Sequence, residues 1–286
     1  MDAMFDICYL TSDLNNIDPD DIPQTKEDVW VLGKKYSAIQ ELERIRRDIT
    51  SVIWCTYRRG FVPIGDDGLT SDKGWGCMLR CGQMVLGVAL VRIHLASDWA
   101  WSPETRDPTY LKIIQRFEER KQAPYSIHQV ALMGASEGKE VGQWFGPNTI
   151  AQVLKKLVVY DKWSSLVLHV ALDNTVVKDD ILKQCLIMND DGNNSSNTDN
   201  VLSDWMPLLL ICFLCRSRSD FDDLCKTFED KRTHEGVLPL FEICEQRPSH
   251  WGPLATDIDV QNTNILTEFE ELDRQFDDSD DEFEIL

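Results

Sequence analysis

Thr70-Ser71-Asp72-Lys73-Gly74-Trp75-Gly76-Cys77-Met78-Leu79-Arg80-Cys81-Gly82-Gln83-Met84 is the stretch on which the reading of the whole chain turns. Gly65, Gly68, Gly74 and Gly76 crowd the segment Pro63 to Gly76, which predicts a loop. Cys77 to Leu95 has no proline and is dense in Met, Leu, Val and Ala, which predicts a buried central helix with Cys77 at its head. The unsatisfied N–H groups and dipole of a first helical turn stabilise a thiolate and lower its pKa. The same amides can donate to an oxyanion when that thiolate attacks a carbonyl. Glycines ahead of the cysteine let a substrate backbone come close, and Trp75 can wall the site against water. On this local pattern a structural cysteine in an apolar helix weighs equally. Cys81, one turn on, shares a face with Cys77 and is expected in the core, because no second Cys/His pair is placed to complete a metal site.

Upstream of the loop, Ile39, Leu42, Ile45 and Ile49 recur at steps of three and four, predicting an amphipathic helix over Ser37 to Thr50. Ser51 to Phe61 is rich in β-branched and aromatic residues and predicts a strand that turns at Gly60. Downstream, helices are expected over Pro108 to Lys121, Ser126 to Met133 and Asn148 to Leu157, the last with Pro147 in its first turn, and a loop over Gly134 to Gly146. Ser165 to Ala171, Pro207 to Cys215 and Leu238 to Cys244 read as strands, and Ser219 to Lys231 as a helix. Asp190 to Asn200 holds no apolar residue and reads as a disordered connector within a polar linker over 189–203. Helices and strands mixed without regular alternation predict an α+β fold. The expected organisation is a leader over 1–35, one domain over 36–250 and a disordered acidic tail over 251–286.

Composition narrows the function. Net charge is −20, from 49 acidic and 29 basic residues, which argues against binding nucleic acid or adhering electrostatically to an anionic membrane. The 30 residues from Asp257 to Leu286 contain twelve acids and one base, Arg274, so the tail carries −11 and the body is ordinary. The nine cysteines are odd in number and lack framework spacing. The first residues are acidic with no basic stretch, and no uninterrupted apolar run approaches the ~18 residues of a membrane span. A cytoplasmic protein with reduced thiols is therefore expected, with no metal and no cofactor.

The opening stretch, with Thr56-Tyr57-Arg58-Arg59 before it, resembles the autophagin family, papain-like cysteine peptidases that process ubiquitin-like autophagy modifiers. The resemblance continues through Gly142-Gln143-Trp144-Phe145-Gly146-Pro147-Asn148-Thr149, Ala171 to Val177, Asp220 to Cys225, Pro248-Ser249-His250 and the terminal Phe283-Glu284-Ile285-Leu286. It covers the chain from about Trp30 to its end. By that resemblance the fold is papain-like, Cys77 is the nucleophile, Tyr57 helps the oxyanion site, and Trp144 lids a narrow channel that admits a side-chain-free, glycine-ended strand. The implied reactions are cleavage after the C-terminal glycine of the modifier and release of the modifier from phosphatidylethanolamine. The implied partners are GABARAP-type modifiers, met by a monomer that acts at membranes without inserting in them.

The same resemblance exposes a gap. A thiol nucleophile needs an imidazole to hold its proton and a group to orient that imidazole. The family draws both from an Asp-Pro-His motif in its C-terminal half, and no Asp-Pro-His occurs here. The histidines are His94, His128, His169, His234 and His250. His94 lies seventeen residues past Cys77, ~25 Å along one helix; His169, His234 and His250 fall outside any catalytic block, and His128 alone is not dismissed by position. Trp205 to Ile211 resembles the family strand before the missing stretch, and Phe213 to Cys225 resembles the family segment after it. A shortened chain is therefore expected, fused at about Ile211–Cys212, with apolar sheet surface uncovered and a destabilised C-terminal half. Cys212-Phe213-Leu214-Cys215 then reads as a consequence of the join rather than a metal or redox pair.

The tail ends Asp277-Asp278-Ser279-Asp280-Asp281-Glu282-Phe283-Glu284-Ile285-Leu286. An acidic run feeding an aromatic-x-x-aliphatic end can add as a strand to an exposed sheet edge, with Phe283 and Leu286 in two pockets. It resembles the family's modifier-interacting motif, and Ser279 amid acids has the setting of a phosphorylation site. Two functions are consistent with these features: a thiol endopeptidase and deconjugase, or a shortened, non-catalytic binder of the modifiers.

Overall fold

The structure is a computed structural model that describes residues 22, 25–65, 68–95, 98–171, 175–187, 201–206, 211–235 and 241–251, with backbone alone for 186–187, 201–206, 211 and 231–235. The connector, the tail and the side chain of His234 lie outside the described residues. The chain divides into two units, Met1–Ile53 with Asp98–Thr105, and Trp54–Ser97 with Arg106–Leu286.

In the first unit β1 (Asp28–Val31) and β2 (Lys34–Ser37) form an antiparallel hairpin, closed by a two-residue turn in which Leu32 and Gly33 both have positive φ, the geometry that matches strand twist. The expected leader boundary at 35 falls inside β2. Helix α1 (Leu42–Thr50) begins five residues later than its periodicity predicts. Ser37 ends β2, and the Glu41 carboxylate accepts the Ser37 N–H at 3.0 Å, so the chain turns before the helix starts. Of the apolar stripe only Ile45 is buried, beside Tyr36 and Ala38; Ile39 and Ile49 are 56% and 44% exposed.

The second unit holds the central helix. The predicted strand at Ser51 to Phe61 is displaced: β3 runs Arg59–Ile64 and pairs antiparallel with β4 (Leu69–Ser71), inside the expected loop. The Arg58 carbonyl accepts the N–H of the facing Asp72 at 3.3 Å, but the Arg58 N–H donates to the Asp72 carboxylate at 2.6 Å instead of to a partner carbonyl, so the strand begins at Arg59. Helix α2 spans Cys77–His94. By length and composition it could cross a membrane, yet Leu79, Leu86 and Leu90 are buried in this unit and Arg80 and Gln83 are buried in a hydrogen-bond network, so it is the core helix. Around it pack α3 (Pro108–Gln115), α4 (Ile127–Met133) and α5 (Pro147–Leu157).

Their starts reflect local chemistry. Asp107 caps α3 through the N–H groups of Thr109 and Tyr110, Ser126 caps α4 through Gln129, and proline opens α3 and α5. Helix α3 stops six residues short of expectation because the Arg116 carbonyl accepts the N–H of Tyr125 at 2.9 Å.

Leu166–Val170 forms β5, buried at every position although it is an edge strand of its sheet. Its parallel partner is a later strand that starts four residues before the expected family strand over Trp205 to Ile211. In chain order, β6 is Thr175–Val177, α6 is Lys178–Ile187, β7 is Val201–Met206, β8 is Ile211–Cys215, α7 is Arg218–Glu235 and β9 is Glu242–Cys244. The larger sheet has the order β5-β7-β8, with β5 parallel to β7 and β7 antiparallel to β8; β6 and β9 form a parallel pair. Strand β7 takes the end of the expected linker, and α6 has no counterpart among the expected elements. Ile211–Cys212 lies within β8, in register with Met206 and Trp205.

The C-terminal half has its own small core, where Ala171, Val176, Ile181, Cys215, Phe221 and Cys225 meet Leu182, Leu224, Phe241 and Ile243. Past Val159, no large apolar residue whose side chain is described is exposed. The side chains of the sheet's middle strand lie outside the described residues. Cys212 and Cys215, three apart on one strand, point to opposite faces and do not form a common ligand pair.

Candidate active site

Cys77 is the first residue of α2, with Gly76 as its N-cap. The turn ahead of it is tied by the carbonyl of Asp72, which accepts the N–H groups of Trp75 at 3.2 Å and Gly76 at 2.8 Å. A Cβ on Gly76 would lie 2.6 Å from the Asp72 carboxylate, so only glycine fits between this buried acid and the nucleophile position. Trp75 is buried in this turn, its indole N–H donating to the Ser71 carbonyl at 3.0 Å.

Two aromatic side chains stand at the half-buried sulfur. The Trp144 indole N–H donates to Cys77 Sγ at 2.9 Å, and the Tyr57 phenol lies near enough for Cys77 to raise its pKa. Tyr57 has a raised pKa, through loss of hydration first and then through Cys77, so it stays a neutral donor where a thiolate forms. Trp144 is 53% exposed and held from behind: its neighbour Phe145 is buried, with its ring packed on Gly134, where a Cβ would come within 2.3 Å. The sequence thus named three residues, Cys77, Tyr57 and Trp144, that the fold brings together; Phe283 and Leu286 lie outside the described residues.

Cys81 departs from its expected place. It is exposed, because the buried face of α2 runs through Leu79, Gly82, Gln83 and Leu86, about 100° per residue away. Partial loss of hydration, and next the nearby Cys77, raise the pKa of its thiol.

No histidine with a described side chain hydrogen-bonds Cys77. His94 ends α2, stacks on Trp163 at 4.0 Å and meets the Ser164 carbonyl at 3.1 Å. His128, which position alone left open, is fully buried, with Nε2 at 2.6 Å from the Val62 carbonyl and its ring against Phe61. His250 packs edge-on to Trp251. His169 sits in β5 with Nδ1 at 2.9 Å from Gln184 Oε1, and burial lowers its pKa to about 4.

That low pKa carries a pH prediction. An unfolded histidine takes up its proton near pH 6.5 and folded His169 only near 4, so its contribution to stability is intact above 6.5 and falls as pH drops toward 4. Urea denaturation at pH 7 and pH 5 should show a loss in the parent that exceeds that of His169→Gln by about 2 kcal/mol. Equal losses in both chains would contradict the assignment.

A thiol heading a buried helix, with an indole donor on its sulfur in an α+β body, has the placement of a cysteine-peptidase nucleophile without the imidazole. Similarity to known proteins agrees. Residues 42–203 match the Peptidase C54 catalytic domain. The cysteine protease ATG4B of Xenopus laevis is 35% identical over 385 positions, spanning 98% of this chain and 99% of that protein. The cysteine protease ATG4A of Homo sapiens is 47% identical over 207 positions, 67% of this chain and 52% of that protein, and ATG4A of Mus musculus is 32% identical across 93% of this chain and 94% of its own. The chain belongs to the Peptidase C54 family, the autophagins, with their papain-like fold. The Xenopus alignment runs over 385 positions whereas the chain has 286 residues, so at least 99 of those positions face a gap in this chain.

Proposed function

We propose that this chain is directed at ubiquitin-like autophagy modifiers of the GABARAP type, with Cys77 as the nucleophile toward the carbonyl of their C-terminal glycine. The observation that carries this is the Trp144 indole donating to the sulfur of Cys77 at the head of α2, with the Tyr57 phenol nearby. The first amides of α2 and the Tyr57 hydroxyl are donors for an oxyanion, and Trp144 narrows access so that a residue without a side chain fits. The scissile bond is the peptide after that glycine, or the amide joining it to phosphatidylethanolamine. The acidic tail ending in Phe283 and Leu286 adds a docking segment. We place the protein in the cytoplasm, acting as a monomer on membrane-borne modifier.

A specific observation favours a second reading, binding without turnover: among the described side chains no imidazole stands at Cys77. The length of the alignment supports the loss of an internal segment, which the resemblance of the flanking stretches places at about Ile211–Cys212, where the family would carry its Asp-Pro-His. Loss of the general acid–base lowers turnover by ~10²–10⁴-fold. Incubating the chain with a C-terminally extended GABARAP-type modifier separates the two readings by product mass. Cleavage lost in Cys77→Ala establishes the peptidase; binding with no cleavage establishes the shortened binder; neither binding nor cleavage overturns the choice of substrate. Aligning the transcript to its locus tests the internal loss: an uninterrupted exon across Ile211–Cys212 would contradict it.

A further inference from the structure

Asp72 is fully buried, and its two carboxylate oxygens have different tasks. Oδ1 accepts the backbone N–H of Arg58, next to Tyr57, at 2.6 Å. Oδ2 accepts Nε–H of Arg80, in the first turn of α2, at 2.6 Å. Its backbone carbonyl holds Trp75 and Gly76, and its N–H reaches the Arg58 carbonyl. One residue therefore ties together the segment that carries Tyr57, the turn that presents Cys77 and the helix that Cys77 heads.

Arg80 extends the tie. Its Nη1 donates to Gln83 Oε1 at 3.1 Å and to Glu119, and Gln83 in turn donates to the Tyr125 carbonyl at 2.6 Å. The Arg80 side chain is buried, and Nη2, like Oε2 of Glu119, has no hydrogen-bond partner among the described residues. A buried guanidinium left under-satisfied is unfavourable, and an apolar pair would serve packing better. The geometry of the fork instead fixes where Asp72 points.

We propose that Asp72, oriented by Arg80, is the positioning residue that sets the Tyr57 hydroxyl against the Cys77 sulfur. The proposal rests on the reading of Cys77 as nucleophile and deepens it. Neither Asp72 nor Arg80 touches the sulfur. Their effect passes through the backbone of Arg58 on one side and of Gly76 on the other.

The test uses the full chain and needs no turnover. The rate at which iodoacetamide alkylates Cys77, read by peptide mass mapping, is measured with and without Tyr57→Phe in each background. In the parent, Tyr57→Phe should slow alkylation at least about threefold, as loss of a hydrogen bond to the thiolate requires. In Asp72→Asn and in Arg80→Gln the same Tyr57→Phe exchange should change the rate by less than about 1.5-fold, because the hydroxyl no longer meets the sulfur. Asp107→Ala, which removes the cap of α3 without touching this network, should keep the full threefold dependence.

Threefold coupling that persists in folded Asp72→Asn or Arg80→Gln overturns the proposal. So does a failure of both variants to fold while Asp107→Ala folds, since the pair is then a stability element. If Tyr57→Phe has no effect even in the parent, the pairing of Tyr57 with Cys77 itself is wrong, an outcome distinct from the failure of Asp72 to control it.

Discussion

Asp161→Ala will destabilise the helical unit by about 3–5 kcal/mol, the loss expected when one partner leaves a buried ion pair. Arg116 meets Asp161 in a bidentate fork, Nε to Oδ2 at 2.9 Å and Nη2 to Oδ1 at 3.0 Å, with both side chains nearly inaccessible. The guanidinium also lies 4.1 Å over the Trp163 ring, whose other neighbour is the stacked His94 at the end of α2. Alanine at 161 strands a buried cation and loosens the platform that anchors the far end of the central helix. The exposed Arg218–Asp222 pair is the contrast, since Asp222→Ala should cost no more than about 0.5 kcal/mol in the same urea titration. A loss below about 1 kcal/mol for Asp161→Ala would mean that the pair is solvated and the platform is not built as described.

The architecture behind that prediction was partly legible from sequence. Central helix, caps and prolines were readable because each depends on residues within one turn: Ser126 for α4, Pro147 for α5, the proline-free run after Cys77 for α2. What failed depends on long-range pairing. The start of α1 was misplaced because Ser37 belongs to β2, whose partner strand is read only once the hairpin is known. The strand at Ser51 to Phe61 was displaced because the carboxylate of Asp72, fourteen residues after Arg58, takes the backbone N–H that a longer ladder would use. Strand β7 was placed too late, at Trp205 to Ile211, because its pairing with β5 bridges a long polar connector, and α6 was missed because its three acidic and basic leading residues obscure a short apolar face at Ile181, Leu182 and Cys185.

The site divides in the same way. Tyr57, Cys77 and Trp144 were named from the family resemblance, and the fold gathers them about one sulfur. Asp72 and Arg80 stood in the very stretch that decided the reading, yet nothing in their spacing signals a buried pair; only the 0% exposure of Asp72 and the two 2.6 Å contacts reveal it. His128 shows the reverse. Its position left it open as a base, and the structure seats it under Phe61 and the Val62 carbonyl, inside the core.

The second large effect concerns the thiol itself. Addition of a thiolate to an electrophile needs no general acid for a leaving group, so it reads the nucleophile apart from the imidazole that turnover requires. The direct measurement is therefore intact mass and peptide mapping after mixing the chain with a GABARAP-type modifier whose C-terminal glycine is replaced by a glycine-derived vinyl electrophile. One adduct per chain is predicted, located on Cys77, formed in excess over the exposed Cys81 and absent in Cys77→Ala. A folded chain that leaves Cys77 unmodified, or an adduct that persists at another cysteine in Cys77→Ala, would contradict the assignment of Cys77 as the nucleophile toward glycine-ended modifiers.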